Sequence, residues 1–100
     1  MNHLNHYKTL SLLMTKGCLT YLCGLSVAAR EKPTKVGHRK VSQKMGISPG
    51  KVGGYVDTLA SKGYAEIITT HSLKIHPEGI ARAKRAFEEG EVAKEDLGLS

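Results

Sequence analysis

Apolar side chains recur at helical spacing along most of this chain. In the N-terminal third, the repeating positions are Leu10, Leu13, Met14, Leu19, Leu22 and Cys23. This stripe predicts one long helix, or two shorter helices with a break or bend at Gly17, which supplies the main face of the core. Pro33 ends the helical pattern, and residues 34–36 have room only for a very short strand before the next helix begins near Gly37 or His38.

Two further helical patterns, joined by a tight turn at Gly46, lie in the segment VSQKMGISPGKVGGYVDTLASKGY, residues 41–64. In the first of these helices Val41 and Met45 lie on one face. In the second, residues 49–62, the positions expected to face the core are Val52, Tyr55, Val56 and Leu59. Ser48 is suited to cap that helix through its side chain, Pro49 to fill its first position, and Gly63 to adopt the left-handed conformation that ends it.

Alternating residues after Gly63 predict a β-hairpin with strands at 64–68 and 73–76 and a turn at 69–72. The expected core positions are Ala65, Ile67, Leu73 and Ile75, with Glu66 and Lys74 facing water. Pro77 then begins a last helix, which ends at Gly90. Its apolar stripe is Ile80, Ala83 and Phe87.

The predicted fold class is therefore mainly α with a small β-hairpin, in one domain that spans residues 1–90. One hundred residues provide only a modest core, so oligomerisation would add stability. Residues 91–100 are acidic and contain few large apolar side chains, and this composition predicts a frayed, flexible tail.

The net charge of +6 is unevenly distributed along the chain. Residues 1–51 have nine Lys or Arg against Glu31 alone, whereas residues 52–100 have six against eight acids. The seven basic residues of the densest segment are Arg30, Lys32, Lys35, Arg39, Lys40, Lys44 and Lys51. Such a cluster suits a nucleic-acid phosphate backbone, although a solvated basic face that aids solubility is the alternative interpretation.

Two cysteines, Cys18 and Cys23, are spaced five residues apart, which matches neither a CxxC pair nor the framework of a small secreted domain. We expect both to be small buried apolar side chains, with a disulfide across a dimer as the alternative. A reducing, cytoplasmic setting follows. The uncharged stretch at 18–29 is too short to span a bilayer, and the start of the chain has no signal-peptide pattern.

Other chemistries find little support. His3 and His6 share a helix face, and His71 and His76 lie on the hairpin, but no spacing matches a metal-ligand set. The chain also has no phosphate-cradling glycine loop, no paired carboxylates in a plausible cleft and no nucleophile elbow, so we predict no metal, no cofactor and no enzymatic activity. His38, at the edge of a core face, is expected to be a partly buried structural residue.

In this order of elements the chain resembles a winged helix-turn-helix transcriptional regulator, of the broad kind that includes the multiple-antibiotic-resistance repressors and many small archaeal and archaeal-virus proteins. The matching segments are VSQKMGIS, PGKVGGYVDTLASKGY and LKIHPEGIARA, within residues 36–87. The resemblance implies that the 49–62 helix enters the major groove of double-stranded DNA and that the preceding helix crosses the backbone. It also implies that the hairpin touches the minor groove or phosphates, and that the protein is a homodimer built on its terminal helices.

The face of the 49–62 helix that points away from the core is nearly bare. It comprises Gly50, Gly54, Asp57, Thr58 and Ser61, flanked by Lys51 and Gly53. The family often has an arginine or another long polar side chain where this chain has Gly53 and Gly54, so contacts to base edges are missing there. The two glycines cost about 2 kcal/mol relative to alanine. They would allow close approach to DNA, or form a ridge for a partner helix, or simply be tolerated.

The remaining predicted contacts lie on three elements. Lys51 is the best candidate for a base or phosphate contact, Ser48 begins a helix whose N–H groups suit a phosphate, and the hairpin tip offers one or two hydrogen bonds. The complete predicted DNA-binding set is Arg39, Lys40, Gln43, Lys44, Ser48, Gly50, Lys51, Gly54, Thr58, Thr70 and His71. The sequence thus predicts a DNA-binding transcriptional regulator. A non-specific architectural DNA binder and a protein-interaction winged helix that uses the Gly50 and Gly54 face are the alternatives.

Overall fold

The computed structural model describes residues 14–98, which form four α-helices and three short strands. In chain order these are α1 (Lys16–Ala28), β1 (Lys35–Val36), α2 (His38–Met45), α3 (Pro49–Ser61), β2 (Ala65–Ile67), β3 (Leu73–Ile75) and α4 (Pro77–Glu88). A 3-10 turn, Lys94–Leu97, follows α4. The described chain is therefore mainly helical with a small antiparallel sheet, as the sequence predicts. Leu10 and Leu13 of the predicted N-terminal stripe lie outside the described residues.

Helix α1 lies at the centre of the fold and packs against α2, α3, α4 and the 3-10 turn. It begins at Thr15, whose Oγ1 accepts a hydrogen bond from the backbone N–H of Cys18 at 3.1 Å. Gly17 therefore lies within the first turn of α1, and the helix does not break there. Gly17 instead makes room for a neighbour, because a Cβ at this position would overlap with the hydroxyl of Tyr55 on α3.

The turn between α2 and α3 and the end of α3 follow the predicted pattern, except at the N-terminal cap of α3. Gly46 has φ +74° and Gly63 has φ +76°, both in the left-handed region that favours glycine. Pro49 occupies the first position of α3. Ser48 is at the N-cap position, but its side chain makes no capping hydrogen bond, so the predicted side-chain cap is wrong. Its backbone carbonyl instead accepts hydrogen bonds from the first turn, including one from the N–H of Lys51 at 3.0 Å.

The sheet has the strand order β1-β3-β2, and both pairings are antiparallel. Leu73 on the central strand pairs with Val36 on one side and Ile67 on the other. Leu73 is fully buried, but Ile67 is 48 % exposed, so the predicted core position of Ile67 is wrong. Ile67 ends β2 and lines an open groove between α2, α3 and the hairpin, so solvent reaches its side chain.

Residues 91–98 pack against the domain, in contrast to the frayed tail expected from their composition. Val92 and Leu97 are buried, and the 3-10 turn contacts α1. The guanidinium of Arg82 donates to both carboxylate oxygens of Glu91, at 2.9 and 3.2 Å. Average composition misses this packing because two well-placed apolar side chains are enough to attach so short a segment.

Both thiols are buried in the core around α1. Cys18 and Cys23 are free, and desolvation by burial raises the pKa of each thiol to about 11. They are therefore protonated at neutral pH and act as small apolar side chains, as predicted. Within residues 14–98, no helix has the length and apolar character needed to cross a membrane.

Candidate nucleic-acid interface

Two neighbouring depressions in the surface are lined by both the hairpin tip and α2. The first, which we call the central groove, has a volume of about 350 Å³ and lies between α2, α3 and the hairpin. The second, which we call the basic cleft, has a volume of about 650 Å³ and is lined by Lys35, Gly37, Arg39, Lys40, Gln43, His71 and Ser72. Arg39 and Gln43 line both depressions, so the start of α2 forms the ridge between them.

The hairpin tip is ordered by the side chain of Thr69. Its Oγ1 accepts hydrogen bonds from the backbone N–H groups of His71, at 3.2 Å, and Ser72, at 3.1 Å. The N–H groups of Ile68 and Thr69 in turn donate to the carbonyl oxygen of Ser72. This side-chain-to-backbone turn leaves Thr70 and His71 exposed at the tip.

His71 connects the tip to α2. Its Nδ1 lies 3.3 Å from Nη1 of Arg39. Because a guanidinium can only donate, Nδ1 of His71 is the acceptor in this contact. The bond joins residues 32 positions apart in the chain, which the sequence pattern does not reveal.

His38, the first residue of α2, lies beneath this contact and is only 5 % exposed. The hydroxyl of Tyr21 donates to its backbone carbonyl at 2.7 Å, while its Nδ1 has no hydrogen-bond partner among the described residues. Burial, followed by the proximity of His71 and Arg39, lowers the pKa of the His38 imidazole, and a hydrogen bond with the backbone of Thr70 opposes this only in part. His38 is thus a neutral structural residue under the basic surface.

The free energy of unfolding is expected to fall in mild acid because of His38. The unfolded chain has an ordinary histidine pKa near about 6.5, above that of the folded state, so it binds the extra proton first. The stability contributed by neutral His38 is therefore fully present above about pH 6.5 and is lost as the pH falls toward the folded-state pKa. One proton accounts for at most about 1.4 kcal/mol per pH unit.

Urea unfolding of the wild type and of His38→Gln across this pH range measures the effect. The wild type should lose more stability than the variant as the pH falls, whatever their difference at neutral pH. Parallel curves for the two proteins would show that His38 does not take up the proton on unfolding.

The other predicted contacts are spread around the domain. Lys44 lies one turn after Lys40 on α2, and both line a groove of about 640 Å³ together with Lys35, Val27 and Val41. Ser48 and Lys51 line a third groove beside the start of α1. The structure therefore brings Arg39, Lys40, Gln43, Thr70 and His71 together around the hairpin tip and places Lys44 beside Lys40, whereas Ser48 and Lys51 lie apart from this group.

The outward face of α3 offers few groups for recognition. Gly50, Gly53 and Gly54 are exposed, and a Cβ at any of them would meet no atom within 4 Å. The hydroxyl of Thr58 donates to the carbonyl of Gly54 at 2.9 Å, and that of Ser61 to the carbonyl of Asp57, also at 2.9 Å. Only Lys51 on α3 is basic. No contact within the described chain requires the glycines on this face.

Two lysines that the predicted site omits belong to the same surface. Lys35 lines the basic cleft, and its partner across the β1–β3 pairing is Lys74. Lys35 was detectable as part of the basic segment at 30–51, whereas Lys74 was identified only as a water-facing strand residue. The sequence has no local signal for the pairing of β1 with β3, so their proximity could not be predicted.

The basic residues around the hairpin tip are not neutralised within residues 14–98. The ion pairs in this part of the chain join Glu66 to His76, Glu91 to Arg82 and Glu89 to Arg85. None of them involves Lys35, Arg39 or Lys40. The described residues also contain no group of three His, Cys, Asp or Glu side chains that could hold a metal ion.

The geometry therefore combines an uncompensated basic surface, a hydrogen-bonded hairpin tip and a helix face of glycines and short polar side chains. Comparison of the chain with protein-family models, curated proteins and solved structures gives no match.

Proposed function

We propose that the protein is a cytoplasmic, homodimeric winged helix-turn-helix protein that binds double-stranded DNA and regulates transcription. Support comes first from the element order, in which α2 and α3 are joined by a tight turn and followed by a hairpin. The short strand before α2 adds to that hairpin to give the sheet order β1-β3-β2. This arrangement is compatible with the winged-helix resemblance of the sequence, in which the hairpin is the wing.

The observation that carries the proposal is the contact between the wing and α2. The hydrogen bond between His71 and Arg39 holds the wing tip against the basic start of α2, beside Lys35 and Lys40. Because no acid neutralises these cations in the described chain, a polyanion would gain their full attraction. DNA phosphates are the polyanion that such a surface beside an exposed helix would meet.

In this proposal α3 enters the major groove. Its three exposed glycines let the helix backbone approach the base edges, and Lys51 supplies a base or phosphate contact. Six residues of the predicted set then form two groups of backbone contacts. Arg39, Lys40, Thr70 and His71 hold the backbone on the wing side, while Ser48 and Lys51 contact it at the start of α3.

The bare face of α3 favours a second candidate, an architectural DNA binder without sequence preference. Specific readout depends on side chains that pair with base edges, and the exposed hydroxyls of α3 already donate to its own carbonyls. Binding would then rest on phosphate contacts and on the deformability of the duplex. The two candidates share a surface but differ in their response to competitor DNA.

Binding of the purified protein to a labelled duplex from beside its own gene, titrated in salt and competed with random duplex, tests the proposal. A regulator should resist the competitor, and an architectural protein should bind both duplexes equally with a steep salt dependence. Lys51→Ala should weaken binding and make the slope of log K against log salt shallower by about 0.9. A wild-type protein that binds neither duplex at low salt would overturn the proposal and favour a protein-interaction role for α3.

A further inference from the structure

We propose that the outward face of the sheet, at Lys35 and Lys74, is a phosphate-binding surface that grips the DNA backbone from the wing side. The inference rests on the proposed function and assigns the larger share of the backbone contacts to the sheet and wing rather than to α3. It adds two residues on two strands to the set that the sequence suggests.

The first argument is the orientation of the two lysines. Lys35 and Lys74 are directly opposite each other in the antiparallel β1–β3 pairing, so their side chains lie on the same face. Leu73 and Ile75, the neighbours of Lys74, are fully buried, and Val36 beside Lys35 is only 6 % exposed. Because strand residues alternate, both lysines must point away from the core.

The second argument is that this pair opposes folding. Like charges directly opposite each other in an antiparallel sheet destabilise the pairing. The acid nearest in register, Glu66, lies opposite Lys74 on β2, but its Oε1 is 3.4 Å from Nε2 of His76. Glu66 is thus shared between Lys74 and His76, while Lys35 has only Lys74 opposite it, and the arrangement is better suited to an external anion than to the isolated domain.

The third argument is continuity with the wing contact. Lys35 lines the basic cleft together with Arg39, Lys40 and His71, so Lys74 extends the same positive surface across the sheet. The cleft is open to solvent and has space for a phosphate group. In contrast, α3 has Lys51 as its one cation and exposes the carboxylate of Asp57 on its bare face. The electrostatic attraction of a nucleic-acid backbone is therefore stronger on the wing side.

The double variant Lys35→Thr/Lys74→Thr tests the inference, because threonine keeps the strand propensity and removes both charges. On the same labelled duplex, the slope of log K against log salt should become shallower by about 1.8, and Kd at about 0.1 M salt should rise roughly 50-fold. Lys51→Ala should lose less. The midpoint of urea unfolding should rise in the double variant, because the repulsion across β1 and β3 is removed, and this excludes misfolding as the cause of weaker binding.

Glu66→Gln is the matched control on the same face, since it removes a negative charge beside Lys74 and can still hydrogen-bond to His76. It should bind the duplex at least as tightly as the wild type. If the double variant keeps the wild-type Kd and salt slope while Lys51→Ala weakens binding, the inference is overturned and the proposed function stands. If the wild type itself binds no duplex, the proposed function fails and the inference fails with it.

Discussion

Replacing Leu59 with alanine is expected to lower the free energy of unfolding by about 2–5 kcal/mol. Leu59 is fully buried on α3, which packs against both α1 and β2. The shorter side chain would leave a cavity between these elements. The backbone cannot easily move to fill it, because the N–H of Tyr64 donates a hydrogen bond to the carbonyl of Leu59 at 3.0 Å and fixes the end of the helix. Small domains have a total stability of about 5–15 kcal/mol, so this loss is a large part of it.

Urea unfolding followed by circular dichroism measures this loss. Ile67→Ala is the matched control, because it shortens an apolar side chain on the neighbouring strand that is 48 % exposed. The control should cost less than about 1 kcal/mol, as substitutions at exposed positions usually do. Equal losses for the two variants would show that α3 is not anchored through Leu59.

Reversing two charges at the start of α2 is expected to have the largest effect on DNA binding. In Arg39→Glu/Lys40→Glu the local charge changes by four units at the point where α2, β1 and the wing tip meet. Loss of two phosphate contacts makes the slope shallower by about 1.8, and repulsion by the two new carboxylates lowers the affinity further, so that at about 0.1 M salt it falls by roughly 10³-fold or more. The variant also loses the hydrogen bond from Arg39 to His71, so the wing tip is no longer held against α2.

The control for this variant must change the net charge equally at a distant site. Lys84→Glu/Arg85→Glu does so on α4, where both side chains are exposed and the helix packs against α1. It should cost only a few tenths of a kcal/mol in stability, from like charges along the helix, and leave most of the affinity intact. Similar losses of binding by both variants would mean that the protein responds to net charge alone, without a defined basic surface.

The sequence predicted the helices and strands well because their signals are local. The apolar spacing of Val52, Val56 and Leu59 defines the inner face of α3, and all three are buried. Pro49 and Gly63 mark its two ends through their backbone preferences alone. Such signals act within a few residues, so they do not depend on how the rest of the chain packs.

The predictions that the structure corrects depended on distant partners. Ser48 has the right residue type for a side-chain cap but does not make the hydrogen bond. Ile67 has the right alternation for the core but lines the open groove between α2, α3 and the hairpin. Val92 and Leu97 lie in a segment of polar composition and are nevertheless buried, and the 3-10 turn that contains Leu97 contacts α1. In each case the sequence pattern gives the local preference of a residue, and the packing of distant elements decides whether that residue makes the hydrogen bond or becomes buried.

By itself, the sequence determined the order and approximate limits of the elements from α1 to α4, the bare outward face of α3, and the excess of basic residues before residue 52. Only the tertiary structure decided which of those charges lie together. The pairing of Lys35 with Lys74 and the hydrogen bond between Arg39 and His71 join residues more than thirty positions apart. Periodicity and caps are set by interactions within one or two turns of chain, whereas a binding surface is set by strand pairing and helix packing, which follow from the burial of the whole core.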